Sequence, residues 1–301
     1  AVRMLLDTPS LDVGAHLAIV GEDPPLLTAR EIPTLVDKKG AFPLSYRTVV
    51  LRGVLGRIDP DDVRREFGAQ LQRIVAAGVP VSHLDTHQHT HLWPSVGKAL
   101  LELAVANDIR AVRTPHSGTP LPVGFGINLL AARLRNTVAH AGLTTTDGYT
   151  GLDEAGAFDQ ARFERSLGTF GSAADNLGPA AAEINPAEIN PTDLDTADLD
   201  TAEINTAEVN RTEINTASKT NVSKTTVSKT TVSKTTGRMG SVEINAHPGE
   251  AGDPDLGRFD WGYRWPDELA MLLAPASREL VQRHGFRLGT FKDLVAAGGS
   301  A

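Results

Sequence analysis

The sequence predicts an α/β fold with a mostly parallel sheet. Two observations carry this prediction. Strand-like apolar runs alternate with helical patterns along the chain, and the clearest helix has complete start and stop signals. The 301 residues, 41% of them hydrophobic, suffice for one large domain or two ordinary ones. Parallel sheets of this class carry their sites at the carboxyl ends of the strands, so candidate functional residues are expected there.

The first elements lie around a long loop. Residues 1–6 are expected to be the end of a helix, and the apolar run at 12–20 predicts a buried strand. Residues 21–45 are proline-rich and aperiodic, which indicates a long functional loop. The clearest helix follows, with Asp59 as N-cap and Gly78 at its end.

The remaining elements continue the alternation of strand and helix. In order they are a strand at 79–85, a helix at 94–107, a strand at 109–113, helices at 126–141 and 158–169, a strand at 241–246, a helix at 266–284 and a strand at 286–290.

Composition excludes several classes of function. A net charge of −8 leaves no electrostatic footprint for nucleic acid or an anionic membrane. The absence of cysteine excludes disulfides, thiolate metal sites and cysteine nucleophiles. No apolar run approaches the roughly 20 residues of a membrane span, and no secretory signal opens the sequence. We therefore expect a cytoplasmic protein that binds neither nucleic acid nor membrane.

A five-residue repeat interrupts the α/β pattern. It begins at Ala182-Glu183-Ile184-Asn185-Pro186 and decays to copies of VSKTT, and Glu243-Ile244-Asn245 repeats its first tripeptide. We infer that the repeat expanded from the coding sequence of that strand. A pentapeptide-repeat β-helix is one interpretation. A disordered insert is favoured, because the SKT pentads lack apolar residues. Residues 1–181 and 242–301 are thus expected to form one discontinuous domain around an insert at 182–241.

The strongest chemical signal is the stretch SHLDTHQHTH that ends the predicted strand at 79–85. Alternate residues of an extended chain point to one side, so His83, Asp85, His87, His89 and His91 share a face while strand geometry lasts. Four histidines and a carboxylate suit Zn²⁺, and Mg²⁺ or Mn²⁺ if more carboxylates join. The alternative is a solvated histidine-rich turn.

Two isolated histidines lie in similar positions. His16 falls within an apolar strand, where a histidine is usually a core residue. His247 follows a strand and precedes a Pro-Gly turn, where it can serve the turn alone. Each of these signals lies at or near the exit of a predicted strand, which is where one site would draw ligands from separated segments.

The sequence resembles the YdjC-like family, which includes chitooligosaccharide deacetylases. The matching stretches are LDVGAHLAIV, SHLDTHQHTHLWP, IRAVRTP, EINAHPGE and HGFRLGTFKDL, and they span essentially the whole chain except residues 182–242. The resemblance implies a (β/α) barrel-like fold. It also implies metal-dependent hydrolysis of the N-acetyl group of an acetylated amino sugar.

The resemblance also implies roles for individual residues. It would place a divalent metal, Mg²⁺ or Zn²⁺, on His16 and His87. His247 matches a late-strand histidine that would protonate the leaving amine, and Arg113 matches an arginine that lines the site. Asp85 would support a ligand or contact substrate.

His89 and His91 would orient the histidine-rich loop or meet substrate. An aromatic group, Trp261, Tyr263 and Trp265, could stack on a sugar or pack on the rim of the barrel.

One family feature has no counterpart in the sequence. The family's first strand carries an Asp-Asp pair that completes the metal shell. The nearest pair here, Asp61-Asp62, is explained as the start of a helix. The match begins in the second helix of the family fold, so we expect the first strands to be missing. Open sheet edges would then favour a homodimer.

Three alternative functions remain open at this stage. The protein could be a catalytically inactive remnant that binds metal or sugar, or an interaction scaffold acting through the repeat. A phosphoester hydrolase is disfavoured, because no basic phosphate cradle is evident.

Overall fold

A computed structural model describes residues 2–173, 231–234, 240–254, 256–259 and 261–298. Most of the predicted insert at 182–241 lies outside the described residues, so its disorder stays a prediction. Four of its residues do form a strand, given below as β5. The helices are α1 (Val2–Leu6), α2 (Tyr46–Val54), α3 (Pro60–Ala76), α4 (Pro94–Ala106), α5 (Pro122–His140), α6 (Gln160–Ala173), α7 (Trp265–Leu273), α8 (Pro275–Arg283) and α9 (Phe291–Gly298). The strands are β1 (Val13–Leu17), β2 (Val81–Thr86), β3 (Ala111–Val112), β4 (Gly148–Thr150), β5 (Thr231–Lys234), β6 (Ser241–Ile244) and β7 (Phe286–Gly289).

The strands form two sheets, and the prediction of a mostly parallel α/β fold is confirmed. One sheet has the order β1-β2-β3 and is parallel throughout. The other has the order β4-β6-β5-β7, in which β4 and β6 are parallel and β5 is antiparallel to both neighbours. Thr144 links β3 to the segment before β4, because its N–H donates to the carbonyl of Arg110 and its carbonyl accepts from Val112. The strands thus continue from one sheet toward the other, in a barrel-like arrangement.

Each sheet has its own apolar core. Leu17 of β1 and Leu84 of β2 pack with Phe67 of α3 and Leu100 of α4, all of them fully buried. The second core lies around β6, β7 and the helices α6 to α8, and it includes Phe163. Burial of these side chains against the sheets stabilises the fold and fixes the ends of the strands where the candidate residues lie.

Two buried carboxylates of α3 hold the long loop at 21–45. The loop contains no helix or strand, as the sequence predicts. Glu66 accepts hydrogen bonds from the backbone N–H groups of Leu26 and Leu27, and Asp62 accepts from the N–H and hydroxyl of Thr34. Asp62 is therefore more than a charge at a helix N-terminus. In this loop these hydrogen bonds satisfy backbone N–H groups that a helix or strand would otherwise pair.

Several boundaries differ from the sequence prediction. The single helix expected at 266–284 is wrong, because Ala274 adopts ψ 130° ahead of Pro275 and separates α7 from α8. The helix expected at 126–141 begins earlier, at Pro122. The prediction also missed α2, β4, β5 and α9. None of these differences moves a predicted strand away from the site described below.

The N-cap of α3 gives a first stability prediction. The Asp59 carboxylate accepts a hydrogen bond from the N–H of Asp61 at 2.8 Å. We expect Asp59→Ala to lower the free energy of unfolding by about 1 kcal/mol, because it leaves an N-terminal N–H group without an acceptor. Asp59→Asn keeps an acceptor and is the matched control. Urea unfolding checks both, and equal stability of the two variants would contradict the assignment.

Candidate active site

The histidine-rich stretch changes conformation immediately after β2. The strand ends at Thr86, and His87–Leu92 form a tight helical turn. Gln88 and His89 have φ of 49° and 51°, in the left-handed region that non-glycine residues rarely adopt. The shared face predicted for the alternating residues therefore ends at Asp85. The three later histidines are placed by the turn instead.

His16 and His87 meet at the carboxyl ends of β1 and β2. His16 Nε2 lies 3.2 Å from His87 Nδ1, and His16 Nδ1 donates to Asp85 Oδ1 at 3.0 Å. The parallel pairing of the strands sets His16 opposite Asp85, which explains this contact. The carboxylate fixes the tautomer of His16, so that Nε2 carries the lone pair that faces His87.

Both imidazoles are held in the neutral form. Burial, and then the positive charge of Arg113, lower the pKa of His16 to about 3. Burial, and then His16 and His247, lower the pKa of His87 to about 3. Neutral imidazole is the form that binds metal ions. Both side chains are therefore in the protonation state that ligation requires.

A buried network of ion pairs supports His16 through Asp85. The Asp85 carboxylate accepts from His16 and also from Arg113 Nη1. Arg113 in turn donates from Nε to Glu243 Oε1 at 2.8 Å, with Nη2 2.6 Å from the same oxygen. The side chains of Arg113 and Glu243 are each 1% exposed. Burial has the largest single effect on the pKa of Arg113 and lowers it, but Glu243 and Tyr149 together outweigh burial, so the pKa of the guanidinium is raised.

Glu243 is the functional residue that the sequence analysis missed. It lies in β6 between Val242 and Ile244, and all three residues are buried. A carboxylate inside an apolar strand is rarely buried without a partner. That rule was the available signal, and it predicts a cationic partner such as Arg113.

His247 follows β6 and is held by α7. Its backbone N–H donates to Glu268, a fully buried carboxylate that also accepts from the N–H of Phe158. The Nδ1 atom of His247 is buried and has no hydrogen-bond partner among the described residues. Burial, followed by His16 and Arg113, lowers the pKa of His247 to about 4. A neutral ring nitrogen without a hydrogen-bond partner, 4.0 Å from the Glu268 carboxylate, is a candidate for proton transfer.

The other two candidate histidines have different surroundings. His91 is buried, accepts from the Thr86 hydroxyl at Nδ1 and donates from Nε2 to the carbonyl of Arg113. These bonds tie the turn at 87–92 to the ends of β2 and β3, and the expectation that His91 orients the loop or meets substrate stays a prediction. His89 Nε2 lies 3.4 Å from the hydroxyl of Tyr149. Burial and the neighbouring histidines lower the pKa of His89 well below its ordinary value.

The donor set can be tested for its fit to a metal ion. In the part of the chain that the structure describes, no group of three or more His, Asp or Glu side chains is arranged to hold a metal. The pair formed by His16 and His87 does fit, since two nitrogens on one tetrahedral Zn²⁺ lie about 3.3 Å apart. The hydrogen bond from His16 Nδ1 to Asp85 is the usual support for a histidine that binds a metal through its other nitrogen. The described residues thus offer two nitrogens at a spacing that fits one metal ion.

The fold and site define an α/β protein with a histidine-lined site at the carboxyl ends of parallel strands. The chain belongs to the YdjC-like protein family, whose family model matches residues 1–283. The resemblance inferred from the sequence motifs is thereby confirmed.

Curated relatives match part of the chain. "Carbohydrate deacetylase 1" of Listeria innocua is 33% identical over 125 residues, which are 38% of this chain and 49% of the relative. "Carbohydrate deacetylase" of Brevibacillus brevis is 33% identical over 104 residues, which are 35% of this chain and 38% of the relative. The matches therefore span about half, or less, of these relatives' own lengths.

A solved structure supports the fold. The chain is similar to a protein from Enterococcus faecalis V583 that is described as a cellobiose-phosphate cleavage protein, with a TM-score of 0.59 and 15% identity. The match covers 97% of this chain and 83% of the other. Among the described residues, no helix is both long and apolar enough to span a membrane.

Proposed function

We propose that this protein hydrolyses the N-acetyl group of an acetylated amino sugar and depends on a divalent metal ion. The observation that carries the proposal is the pair of neutral nitrogens on His16 and His87, 3.2 Å apart and supported by Asp85. The relatives named carbohydrate deacetylase give the chemical class of the substrate.

The chemistry of amide hydrolysis requires what these residues can provide. An acetamide carbonyl must be polarised and attacked by water, and the amine must be protonated as it leaves. A Mg²⁺ or Zn²⁺ ion on His16 and His87 would supply Lewis acidity and a more acidic water. Asp85 keeps the His16 tautomer correct, and Arg113 and Glu243 keep Asp85 in place. His247 starts neutral, so it must receive a proton before it can pass one to the amine.

A second candidate function follows from the incomplete set of metal ligands. Because the described residues supply only two nitrogens to a metal, a protein that binds metal or sugar without turning it over is the alternative. Enzymatic turnover separates the two functions directly.

The test is acetate release from N-acetylglucosamine and from N,N′-diacetylchitobiose, measured with the full chain in the presence of Mg²⁺ or Zn²⁺. We expect acetate in stoichiometric amounts with free amine. Binding of sugar without acetate would support the inactive alternative. Turnover of a phosphoester with no acetate would contradict the proposed reaction class.

His247 gives a sharper prediction within the same assay. We expect His247→Gln to lower kcat by about 10²- to 10⁴-fold with little change in KM, because proton transfer to the amine is lost while sugar contacts remain. His284→Gln, in the residue directly after α8, is the matched control and should keep full activity. An unchanged kcat for His247→Gln would remove this residue from the reaction.

A further inference from the structure

A cleft lies between α4 and α5, next to the turn at 87–92, and has a volume of about 360 Å³. Its apolar surface comes from four leucines, Leu92, Leu101, Leu130 and Leu134. Leu101 and Leu134 belong to the first apolar core and are 4% and 5% exposed, so they form the floor of the cleft. A volume of this size with a mainly apolar lining is typical of sites for small ligands.

Two cationic side chains, Lys98 of α4 and Arg133 of α5, also line the cleft, and both are exposed. No Asp or Glu is among the described residues that line it, although the whole chain has 37 of them and a net charge of −8. Lys98 Nζ lies 3.9 Å from one oxygen of Glu102, but the other oxygen already accepts from Arg64 at 2.8 Å. The cleft thus combines an apolar floor with positive charge at its surface.

This combination selects one chemical class of ligand. An apolar body on the leucines gains from burial, and an anionic group beside two cations gains from their charge. A purely apolar ligand would leave the cations without a use, and a cationic ligand would be repelled. The cleft is therefore complementary to an amphipathic anion.

The turn at 87–92 connects the cleft to the candidate site. His91 and Leu92, the last two residues of that turn, line the cleft, and His87 is its first residue. The turn packs directly on α4, because the carbonyl of His91 lies so close to Gly97 that a Cβ there would be 2.5 Å from it. A ligand in the cleft would therefore contact the same turn that carries His87.

We propose that the α4–α5 cleft is a second ligand site, which binds an amphipathic anion. The apolar chain of the ligand lies against the four leucines, and its carboxylate or phosphate group lies at Lys98 and Arg133. Occupation of the cleft stabilises the turn at 87–92 and so the position of His87. The site is separate from the pair formed by His16 and His87, and binding there does not depend on the proposed reaction.

Titration calorimetry of the full chain with octanoate, octyl phosphate and octan-1-ol tests the site. The three ligands share an apolar chain and differ in the head group. We expect the tighter of the two anions to bind about tenfold more strongly than the alcohol, since two surface ion pairs contribute, and its head group identifies the source of the anion. Equal affinities for all three ligands would overturn the proposal.

Variants in the cleft separate specific binding from general attraction of anions. The double variant Lys98→Met with Arg133→Met should reduce the affinity for the anion about tenfold, to that for octan-1-ol. Arg110→Met with Arg278→Met removes two exposed cations that do not line the cleft, and should leave the affinity unchanged. Equal losses in the two double variants would overturn the site. Leu130→Trp fills the cleft and should abolish binding of anion and alcohol alike.

Hydrogen exchange of backbone amides tests the connection to the turn. With octanoate or octyl phosphate at ten times its Kd, amides of residues 87–92 should exchange about tenfold more slowly, because opening the turn would remove part of the site. Amides of α8, whose residues do not line the cleft, should exchange at an unchanged rate. Saturated binding that leaves exchange in residues 87–92 unchanged would overturn the proposed effect on His87.

Discussion

Replacing Arg113 with methionine is expected to lower the free energy of unfolding by about 3–5 kcal/mol, the usual cost of leaving buried carboxylates without their cation. Arg113 is the cation that contacts both Asp85 and Glu243, and its side chain is 1% exposed. Methionine fills a similar volume, so the loss reports charge and hydrogen bonding more than packing. Urea unfolding monitored by circular dichroism measures the change.

Two further variants make the test specific. Arg110→Met removes an exposed ion pair with Asp108 just before β3 and should cost less than about 1 kcal/mol. The double variant Arg113→Met with Glu243→Gln removes one of the two orphaned charges and should recover part of the loss. Equal stabilities of Arg113→Met and Arg110→Met would show that the buried network does not support the site.

The second large effect is expected on removal of a proposed metal ligand. His16→Ala or His87→Ala should lower kcat/KM for acetate release by about 10³-fold, since loss of Lewis-acid catalysis costs several kcal/mol in the transition state. Metal content, measured by mass spectrometry after dialysis, should fall in parallel.

His140→Ala is the matched control for this pair. His140 is exposed at the end of α5, and its Nδ1 atom donates to the carbonyl of Asn136. The variant should keep both metal and activity. If His87→Ala retained full metal content, the assignment of His87 as a ligand would be wrong.

Local signals in the sequence were sufficient where a single interaction decides the structure. Asp59 was predicted as an N-cap and accepts the expected hydrogen bond. Gly78 was predicted to end α3 and has φ of 79° there. The two strands that bring His16 to His87 were predicted because both are apolar runs with clear boundaries. The juxtaposition of the two histidines followed from the rule that parallel strands share a carboxyl edge.

Features that depend on distant partners were not predictable in the same way. α2 was missed although Tyr46, Val49, Val50 and Val54 recur at helical spacing, and only Val49 of the helix is buried in the fold. β4 has three residues and is defined by its pairing with β6. The turn after Thr86 depends on a left-handed backbone conformation at Gln88 and His89. Neither residue type predicts that conformation. Glu243 acquires its role through Arg113, which is 130 residues away in the chain.

The most direct test of the account is acetate release from N,N′-diacetylchitobiose by the full chain before and after removal of metal with a chelator. The account predicts that activity disappears on chelation and returns when Mg²⁺ or Zn²⁺ is added, and that His87→Ala shows no such recovery. Acetate release that persists at the same rate after complete metal removal would contradict it.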